Sequence, residues 1–343
     1  MYTIAKASEI DRIALFRNSA EKMNLHEAII EKDFWVCLTL DYLFRISRWK
    51  NALVFKGGTS LSKAFHIIRR FSEDIDLIVD WRVLGYSKNE PWEKRSNSKQ
   101  DLFNKETNRR VEAFLRQDLL PDIQQELSFL LGFDVNMSID EIGDPQTICF
   151  RYPHIFADGS ILQNIRLEIG ALAAWTPAKK EVITPYAAEF YPQVFVQQNT
   201  EVLTVSPERT FWEKATILHH EANRPESSLM PARYSRHFYD LYCLMQSGVK
   251  DSSMQNLDLL QKVVRFKKQF YPRGWAQYDQ AKIGTLRLVP PEYRFTALQS
   301  DYDRMRGMIF DNTPSFDDLM HQIAILEAEI NAPKTDGTLN SYL

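Results

Sequence analysis

The sequence predicts an α/β fold in its first half and an all-helical second half. Apolar runs at 52–55 and 75–79 have the length of buried strands, and a glycine pair followed by a helical stretch separates them. Three further strand-like runs follow within 133–169, and beyond residue 205 the apolar residues recur at helical spacing. Strands that alternate with helices are typical of α/β structure. We therefore expect two domains, at residues 1–205 and 206–335.

The order of elements follows from apolar periodicity and from the positions of glycine and proline. The first fifty residues predict helices, one of them from Glu27 to about Ser47. The first half then predicts, in order, a strand at 52–55, a helix at 60–69, a strand at 75–79, an exposed loop at 81–97, a long helix at 98–131 and strands at 133–139, 147–152 and 161–169. The second half predicts helices starting at Pro207 and covering 234–245, 258–270, 291–308 and 315–330.

Composition indicates a folded protein without a membrane anchor. The chain has 343 residues, of which 44% are hydrophobic and 25% charged, and its net charge of -3 neither proves nor excludes a nucleic-acid partner. Three widely separated cysteines predict buried, free thiols in a reducing cytoplasm. No apolar run approaches the roughly 20 residues of a membrane helix, and the N-terminus lacks the apolar core of a signal peptide. We expect a cytoplasmic protein.

Two aspartates, Asp74 and Asp76, flank Ile75 at the start of the second predicted strand. Residues two apart on a strand point to the same face, so the two carboxylates project together. Such close like charges repel unless a cation lies between them, and carboxylate oxygens suit Mg²⁺ or Mn²⁺. The alternative is a solvated strand edge, which an isolated Asp-x-Asp pair favours. The glycine turn before the pair favours the metal site.

That turn, Gly57-Gly58-Thr59-Ser60, lies between the first strand and the next helix. Glycine lets the backbone approach a ligand closely, and free amides at a helix start can hold phosphate. The hydroxyls of Thr59 and Ser60 and the ammonium group of Lys63 are the candidate side-chain ligands. Taken alone, the glycines indicate a plain tight turn equally well. A phosphate cradle beside a carboxylate pair instead predicts a site for a nucleoside triphosphate (NTP).

A third carboxylate, Glu168, lies on a later predicted strand whose apolar residues Leu167 and Ile169 face the other way. Two-metal chemistry needs a third anionic group, which can also help to deprotonate an attacking hydroxyl. We therefore predict Asp74, Asp76 and Glu168 as metal ligands. The alternative for Glu168 is a surface glutamate paired with Arg166.

The segments FKGGTSLSK at 55–63 and FSEDIDL at 71–77 resemble the AbiEii/AbiGii toxin family of nucleotidyltransferases. This family belongs to the DNA polymerase β-like superfamily, whose signature is a Gly-Gly or Gly-Ser turn, a helix, and Asp-x-Asp or Asp-x-Glu on a strand. The gap between glycines and aspartates is slightly longer than in many superfamily members, as is usual in this branch. The resemblance implies an α/β (α+β) polymerase β-like core with a mixed sheet and a helical C-terminal bundle. It also implies that Ser72 belongs to the nucleotide-binding residues.

The resemblance extends into the helical half through PERTFWEK at 207–214 and RYSRHFYDL at 233–241. Matched to the family's lysine and Arg-x-x-x-Asp-like run, these segments imply catalytic roles for Lys214 and Asp240 and nucleotide binding by Arg236. Lys214 would neutralise triphosphate charge in the transition state. Because Arg236 and Asp240 are four apart on one helix face, Asp240 can hold Arg236 or Lys214 in place, or it can contact the nucleotide. The alternatives are a solvated lysine and an ordinary surface ion pair.

Together these residues predict transfer of a nucleoside monophosphate from an NTP to an acceptor, with Mg²⁺ or Mn²⁺ as cofactor and release of pyrophosphate. The resemblance implies a toxin of a bacterial toxin–antitoxin or abortive-infection (phage-defence) system, with an antitoxin encoded nearby. It also implies the tRNA 3′ end as acceptor and growth arrest as the outcome. Two alternatives stay open: a nucleotidyltransferase that modifies a protein or small molecule, and a non-catalytic nucleotide-binding toxin. We expect the active site in the cleft between the two halves.

Overall fold

The computed structural model describes residues 1–159, 161–172, 176–310 and 313–332. Its backbone divides into two compact units, Met1–Pro207 and Glu208–Leu343. The first unit contains a β-sheet, whereas the described part of the second consists of helices and their connections. The predicted boundary at residue 205 lies two residues before this division, and as a domain boundary it stays a prediction.

One mixed sheet forms the centre of the first unit. Its strands are β1 (Leu53–Lys56), β2 (Ile75–Val79), β3 (Asn136–Ile139), β4 (Thr147–Arg151), β5 (Ile165–Gly170), β6 (Ala178–Ile183) and β7 (Thr200–Val205). They pair in the order β3-β4-β5-β2-β1-β7-β6. β2 lies between β1, which runs antiparallel to it, and β5, which runs parallel to it. Strands that are distant in sequence are thereby brought side by side at the middle of the sheet.

The strand β5 has one buried face and one partly exposed face. In β5, Ile165, Leu167 and Ile169 are buried, whereas Arg166 and Glu168 between them are partly exposed. Such alternation is expected because successive strand residues point to opposite faces. The face that bears Leu167 belongs to the main apolar core, and the opposite face of the sheet has a smaller buried cluster of Val54, Ile78 and Val205 beside its polar groups.

Helices cover the buried face. They are α1 (Tyr2–Ala5), α2 (Glu9–Met23), α3 (Glu27–Asp41), α4 (Gly57–Lys63), α5 (Asn97–Phe114), α6 (Leu120–Leu131) and α7 (Tyr186–Phe190). One π-helical turn, Tyr42–Ile46, extends α3, and another, Leu115–Leu119, joins α5 to α6. Phe34 and Trp35 of α3 lie in the same buried cluster as Phe55 of β1 and Leu77 of β2. The helix α3 is therefore the central element of this core.

In its described residues, the second unit contains α8, which begins at the boundary, and five further α-helices. The helices are α8 (Pro207–Ala222), α9 (Ser235–Gln246), α10 (Val249–Gln255), α11 (Leu257–Phe270), α12 (Phe295–Met305) and α13 (Phe316–Asn331). α9 packs against α10, α12 and α13. The apolar side of α11, which includes Val263 and Phe266, is buried, while Lys262 and Arg265 on its other side are exposed.

Several predicted elements are confirmed, and one is wrong in extent. The strands predicted at 52–55, 75–79 and 147–152 and the long helix at 98–131 are present within a few residues. The helix predicted at 60–69 instead starts at Gly57 and ends at Lys63, and His66 beyond it has a positive φ of 53°. β6 and β7 were not predicted. For β6 the reason is its place at the edge of the sheet, where two lysines and a glutamate interrupt the apolar alternation.

Two smaller predictions concerned buried free thiols and the absence of a membrane-spanning helix. All three cysteines are free, but only Cys37 is buried, so the prediction of buried thiols is wrong for the partly exposed Cys149 and Cys243. None of the helices that the structure describes combines the length and apolar character needed to span a bilayer.

Candidate active site

The carboxylates meet where β2 and β5 pair. In the strand register Asp76 lies opposite Glu168 of β5 on one side and Lys56 of β1 on the other. Paired residues on neighbouring strands share a face, and the strands are about 4.8 Å apart. Asp74 lies just before the first residue of β2 and is partly exposed, like Asp76. Asp76 and Glu168, which are distant in sequence, thus lie side by side in the middle of the sheet, and Asp74 lies just before β2.

Gly57 lies directly against the Asp76 carboxylate. A β-carbon at this position would be 1.9 Å from Asp76 Oδ2 and 2.9 Å from Asp76 Cβ. The residue also has a φ of +81°, which side chains other than glycine adopt only with strain. Both constraints require glycine here. The start of α4 and the Asp76 carboxylate therefore touch without an intervening side chain.

Gly58 and Thr59 hold the segment that leads into β2. A β-carbon at Gly58 would be 2.8 Å from Ser72 Oγ and 2.6 Å from a guanidinium nitrogen of Arg70. Thr59 Oγ1 donates to the main-chain carbonyl of Asp74 and lies 3.0 Å from Ser72 Oγ. The glycine turn therefore packs against residues 70–74, and Thr59 fixes the main chain of Asp74.

Three of the predicted triphosphate ligands point into the protein. Thr59 and Ser60 are buried, and the Ser60 hydroxyl donates to the main-chain carbonyl of Gly57 at 2.8 Å. Lys63 is only 3% exposed, and its ammonium group lies 2.8 Å from Asp33 Oδ1 and 3.6 Å from the centre of the Tyr186 ring. The expectation that these side chains contact phosphate directly does not fit this arrangement. Their contacts support the turn from behind.

The carboxylates of Asp74, Asp76 and Glu168 are of the type that binds a hard divalent cation, and Asp76 and Glu168 are paired in the strand register. Carboxylate oxygens are the ligands that Mg²⁺ and Mn²⁺ prefer. In the present rotamers, Asp76 Oδ1 lies 3.7 Å from Lys56 Nζ, and Glu168 Oε1 lies 3.4 Å from Arg166 Nε. Among the described residues, no three His, Cys, Asp or Glu side chains stand close enough to hold a metal as they are. Residues Asp76 and Glu168 would hold an ion after turning away from their cationic neighbours.

In the second unit, Lys214 and Asp240 form a buried ion pair. Lys214 Nζ of α8 donates to Asp240 Oδ2 of α9 at 2.7 Å, and Asp240 has no exposed surface. The same ammonium group lies 3.0 Å from Nδ1 of His237. Because an ammonium group can only donate, Nδ1 accepts and the His237 proton is assigned to Nε2. Of the two partners expected for Asp240, the structure pairs it with Lys214, while Arg236 lies one turn earlier on α9 and is partly exposed.

Lys267 adds a second lysine beside this pair. It extends from α11 and donates to the main-chain carbonyl of Glu213 at 3.2 Å. Burial of the ammonium group lowers the pKa of Lys267 to about 7, and the charges of Lys214 and Arg209 lower it further while Glu213 opposes them. Arg209 itself is 2% exposed and pairs with Glu213 at 2.8 Å. Three cations thus gather on the facing sides of α8 and α11.

A known protein family matches most of the chain. The family model described as "Nucleotidyl transferase AbiEii toxin, Type IV TA system" matches residues 41–322. The chain belongs to the AbiEii nucleotidyltransferase toxin family. It is therefore a nucleotidyltransferase toxin of a type IV toxin–antitoxin system, and the family implies an NTP substrate and an antitoxin. The resemblance stated from the two motifs is confirmed.

A solved structure shows the same fold. The chain is similar to MenT4, a nucleotidyltransferase toxin from Mycobacterium tuberculosis H37Rv, with 15% sequence identity and a TM-score of 0.50. The match covers 94% of this chain and 91% of MenT4. The predicted fold class, an α/β nucleotidyltransferase core with a mixed sheet, is confirmed. No protein among the curated sequences matches the chain.

Sequence reasoning passed over three charged residues that lie beside the predicted ones. Lys56 precedes the glycine pair and faces Asp76, and aligning β1 against β2 would have found it. Glu73 sits beside Asp74 but is 4% exposed and pairs with Lys32 at 2.6 Å. The signal for Lys32 is the charged run Glu-Lys-Asp inside an otherwise apolar helix.

Proposed function

We propose that this toxin transfers a nucleoside monophosphate from an NTP to the 3′ end of tRNA, with release of pyrophosphate and growth arrest. The observation that carries the proposal is the position of Asp76. It lies opposite Glu168 in the register of β2 and β5, and its carboxylate lies directly against Gly57. Family membership supports the transfer reaction. The tRNA acceptor is inferred from the sequence resemblance to the AbiEii/AbiGii toxins.

Asp74, Asp76 and Glu168 would hold Mg²⁺ or Mn²⁺. When bound, such an ion neutralises charge on the phosphates and orients the reacting oxygens. Glu168, whose side chain is 41% exposed, is the group that accepts the proton of the attacking hydroxyl at its carboxylate oxygen.

The triphosphate is held by main-chain groups more than by side chains. Gly57 and Gly58 lack β-carbons, so a phosphate oxygen can approach the amides of this turn. Ser72 lies beside Gly58 and offers its hydroxyl, while Thr59, Ser60 and Lys63 keep the turn in place from inside.

The family resemblance is the basis for including Lys214, Asp240 and Arg236 of the second unit in this proposal. Lys214 carries the neutralising charge, and Asp240 orients its ammonium group through the 2.7 Å contact. Arg236, partly exposed on the same helix as Asp240, is free of the core and contributes to nucleotide binding. Positive groups that are already oriented stabilise developing charge without reorganising at the moment of reaction.

The acceptor is tested with labelled NTPs. The purified protein is incubated with each labelled NTP and either total tRNA or a cell extract freed of RNA. We expect label in the tRNA fraction with the wild type and none with Asp76→Asn. Asp101→Asn, which removes an exposed carboxylate on α5, is the matched control and keeps full transfer. Label that appears only in protein or in small molecules contradicts the tRNA acceptor.

A growth assay separates catalysis from simple binding. Expression of the wild-type toxin without its antitoxin should arrest growth, and Asp76→Ala should abolish the arrest if transfer causes it. A folded Asp76→Ala protein that still arrests growth would identify a non-catalytic nucleotide-binding toxin. Because tRNA is cytoplasmic, we propose that the protein acts in the cytoplasm. A phage-challenge assay with cells that express the toxin and antitoxin together tests the proposed role in phage defence.

A further inference from the structure

Three consecutive charged residues are buried in the middle of α3. Glu31, Lys32 and Asp33 are 0%, 1% and 3% exposed. Charged side chains are almost never buried to this extent unless they are paired. Each of the three contacts a different part of the first unit outside α3.

Lys32 joins the two segments that lead to the carboxylates. Its ammonium group donates to Glu73 Oε2 at 2.6 Å and to the main-chain carbonyl of Leu162 at 2.7 Å. Glu73 is the residue before Asp74, and Leu162 precedes β5, which carries Glu168. One buried ammonium group therefore ties together the entrance to β2 and the entrance to β5.

Asp33 holds the glycine-turn helix in the same way. One of its carboxylate oxygens lies 2.8 Å from Lys63 Nζ, and the other accepts from the main-chain amide of Tyr186 at 2.7 Å. Lys63 is the last residue of α4, the seven-residue helix that begins at Gly57. A shift of Lys63 along the helix axis would therefore move Gly57 against Asp76.

Glu31, the third buried charge of α3, binds the chain between β4 and β5. Its carboxylate accepts from the main-chain amides of Ile155 and Phe156 at 2.9 Å. These residues lie between β4 and β5. The charged run of α3 therefore has contacts with the chain before β2, before β5 and at the end of α4.

We propose that Lys32 and Asp33 are positioning residues that set the catalytic carboxylates and the glycine turn against one another. The inference rests on the proposed nucleotidyl-transfer site. Stability alone gives no reason for these charges, because buried ion pairs can be replaced by apolar residues of similar volume with little or no loss of stability. An ion pair has a defined distance and direction, which an apolar contact lacks. It therefore fixes the relative placement of Asp74, Glu168 and Gly57.

The test removes the Lys32–Glu73 pair while filling its volume, in Lys32→Met/Glu73→Leu. We expect a melting temperature close to that of the wild type, because no unpaired charge is left behind. We also expect faster hydrogen exchange at the amides of β2 and β5, and a drop in Mn²⁺ affinity and in kcat of about 10- to 100-fold, as for residues that orient metal ligands. KM for the NTP should change less than kcat.

The matched control is Arg45→Met/Asp41→Leu. It removes another ion pair of 2.7 Å, in which Asp41 is the last residue of α3, without touching the segments before β2 and β5. We expect it to keep exchange rates, Mn²⁺ affinity and kcat at wild-type values. If the test variant behaves like this control, the pair has no positioning role.

Two further arms keep the outcomes distinct. If Lys32→Met/Glu73→Leu does not fold, Lys32→Arg replaces it: the charge is kept but the donor is moved, and unchanged Mn²⁺ affinity and kcat would overturn the proposal. If the wild type binds no Mn²⁺ and transfers no nucleotide, the proposed function fails. Hydrogen exchange at β2 and β5 still decides whether Lys32 orders these strands, because it needs neither metal nor acceptor.

Discussion

Replacing Gly57 with alanine tests whether the contact between the glycine turn and Asp76 matters for transfer. The new β-carbon would lie 1.9 Å from Asp76 Oδ2, whereas ordinary contacts are 3.4 Å or longer, so the carboxylate must move by about 1.5 Å. The added carbon also lies 2.9 Å from Asp76 Cβ, so a side-chain rotation alone does not relieve the clash. The strand or the turn has to shift as well.

The expected size of the effect follows from this displacement. A misplacement of about 1 Å can cost roughly 100-fold in rate, which corresponds to about 2.7 kcal/mol of transition-state stabilisation. The positive φ of +81° adds backbone strain of about 1–2 kcal/mol, which affects stability and not the chemistry directly. We therefore expect a loss of transfer of about 100-fold or more, together with a modest fall in melting temperature.

Gly132→Ala is the control that separates the two effects. Gly132 also has a positive φ, of +77°, and it ends α6 in the same unit, but a β-carbon there would meet nothing closer than Lys6 Cδ at 4.0 Å. Both variants should lose stability in urea titrations because both positions have a positive φ, and Gly57→Ala should lose more because of its clash with Asp76. Only Gly57→Ala should lose transfer of labelled nucleotide under single-turnover conditions. Transfer by Gly57→Ala within threefold of Gly132→Ala would refute the argument.

Three further predictions concern the second unit. Asp240→Asn leaves the buried ammonium group of Lys214 without its charged partner, so urea unfolding should show a loss of about 3–5 kcal/mol. The paired change Lys214→Met/Asp240→Leu should lose little stability and all transfer. For Lys267, the fall in pKa from 10.5 to about 7 corresponds to at most about 5 kcal/mol, which partial exposure reduces to roughly 2. This cost of burying the charged lysine is complete below pH 7 and vanishes above pH 10.5. Lys267→Met should therefore raise the melting temperature at pH 6 and much less at pH 10. Replacing the exposed Lys262 with Met is the control and should change the melting temperature at neither pH. Burial alone raises the pKa of Asp301, but hydrogen bonds from the start of α9 to its carboxylate make the net shift downward. These hydrogen bonds therefore stabilise the fold by about 1–3 kcal/mol above pH 4, and the stabilisation is lost as the pH falls through the pKa of Asp301 in the folded protein. Calorimetry of Asp301→Asn between pH 3 and 7 should show a difference from the wild type that shrinks toward acid.

The central strands could be predicted because their local pattern agrees with their place in the sheet. β2 and β5 alternate or run apolar over five or six residues, and their polar residues stand out against that pattern. β6 could not be found in this way. It is an edge strand, so most of its side chains face water and carry no apolar signal.

The candidate carboxylates could be predicted for a similar reason. Asp74 and Asp76 flank a buried isoleucine, and Glu168 interrupts an apolar run. That Asp76 and Glu168 lie opposite each other depends on the parallel pairing of β2 with β5, which are nearly ninety residues apart. No local pattern contains that information. The pairing depends on the whole sheet.

The direction of the polar side chains in the glycine turn was the least predictable feature. The sequence places Thr59, Ser60 and Lys63 beside the glycines, and this proximity alone made them candidate phosphate ligands. The direction of these side chains is set by partners in other segments. Lys63 points inward because it pairs with Asp33 on α3, and Thr59 does so because its hydroxyl donates to the main-chain carbonyl of Asp74.

These inward contacts suit the chemistry that we propose. Main-chain amides at Gly57 and Gly58 recognise phosphate only if the turn keeps its shape, because they have no side-chain freedom with which to adjust. A hydroxyl or ammonium group that faced the ligand could not also hold the turn. In the proposed site, Thr59, Ser60 and Lys63 are internal supports, so phosphate contact is left to the glycine amides and charge neutralisation to other cations. Lys63→Met, paired with Asp33→Leu to avoid a lone buried charge, should then lower kcat more than nucleotide affinity. Loss of nucleotide affinity with unchanged kcat, in the folded variant, would show that Lys63 binds phosphate directly.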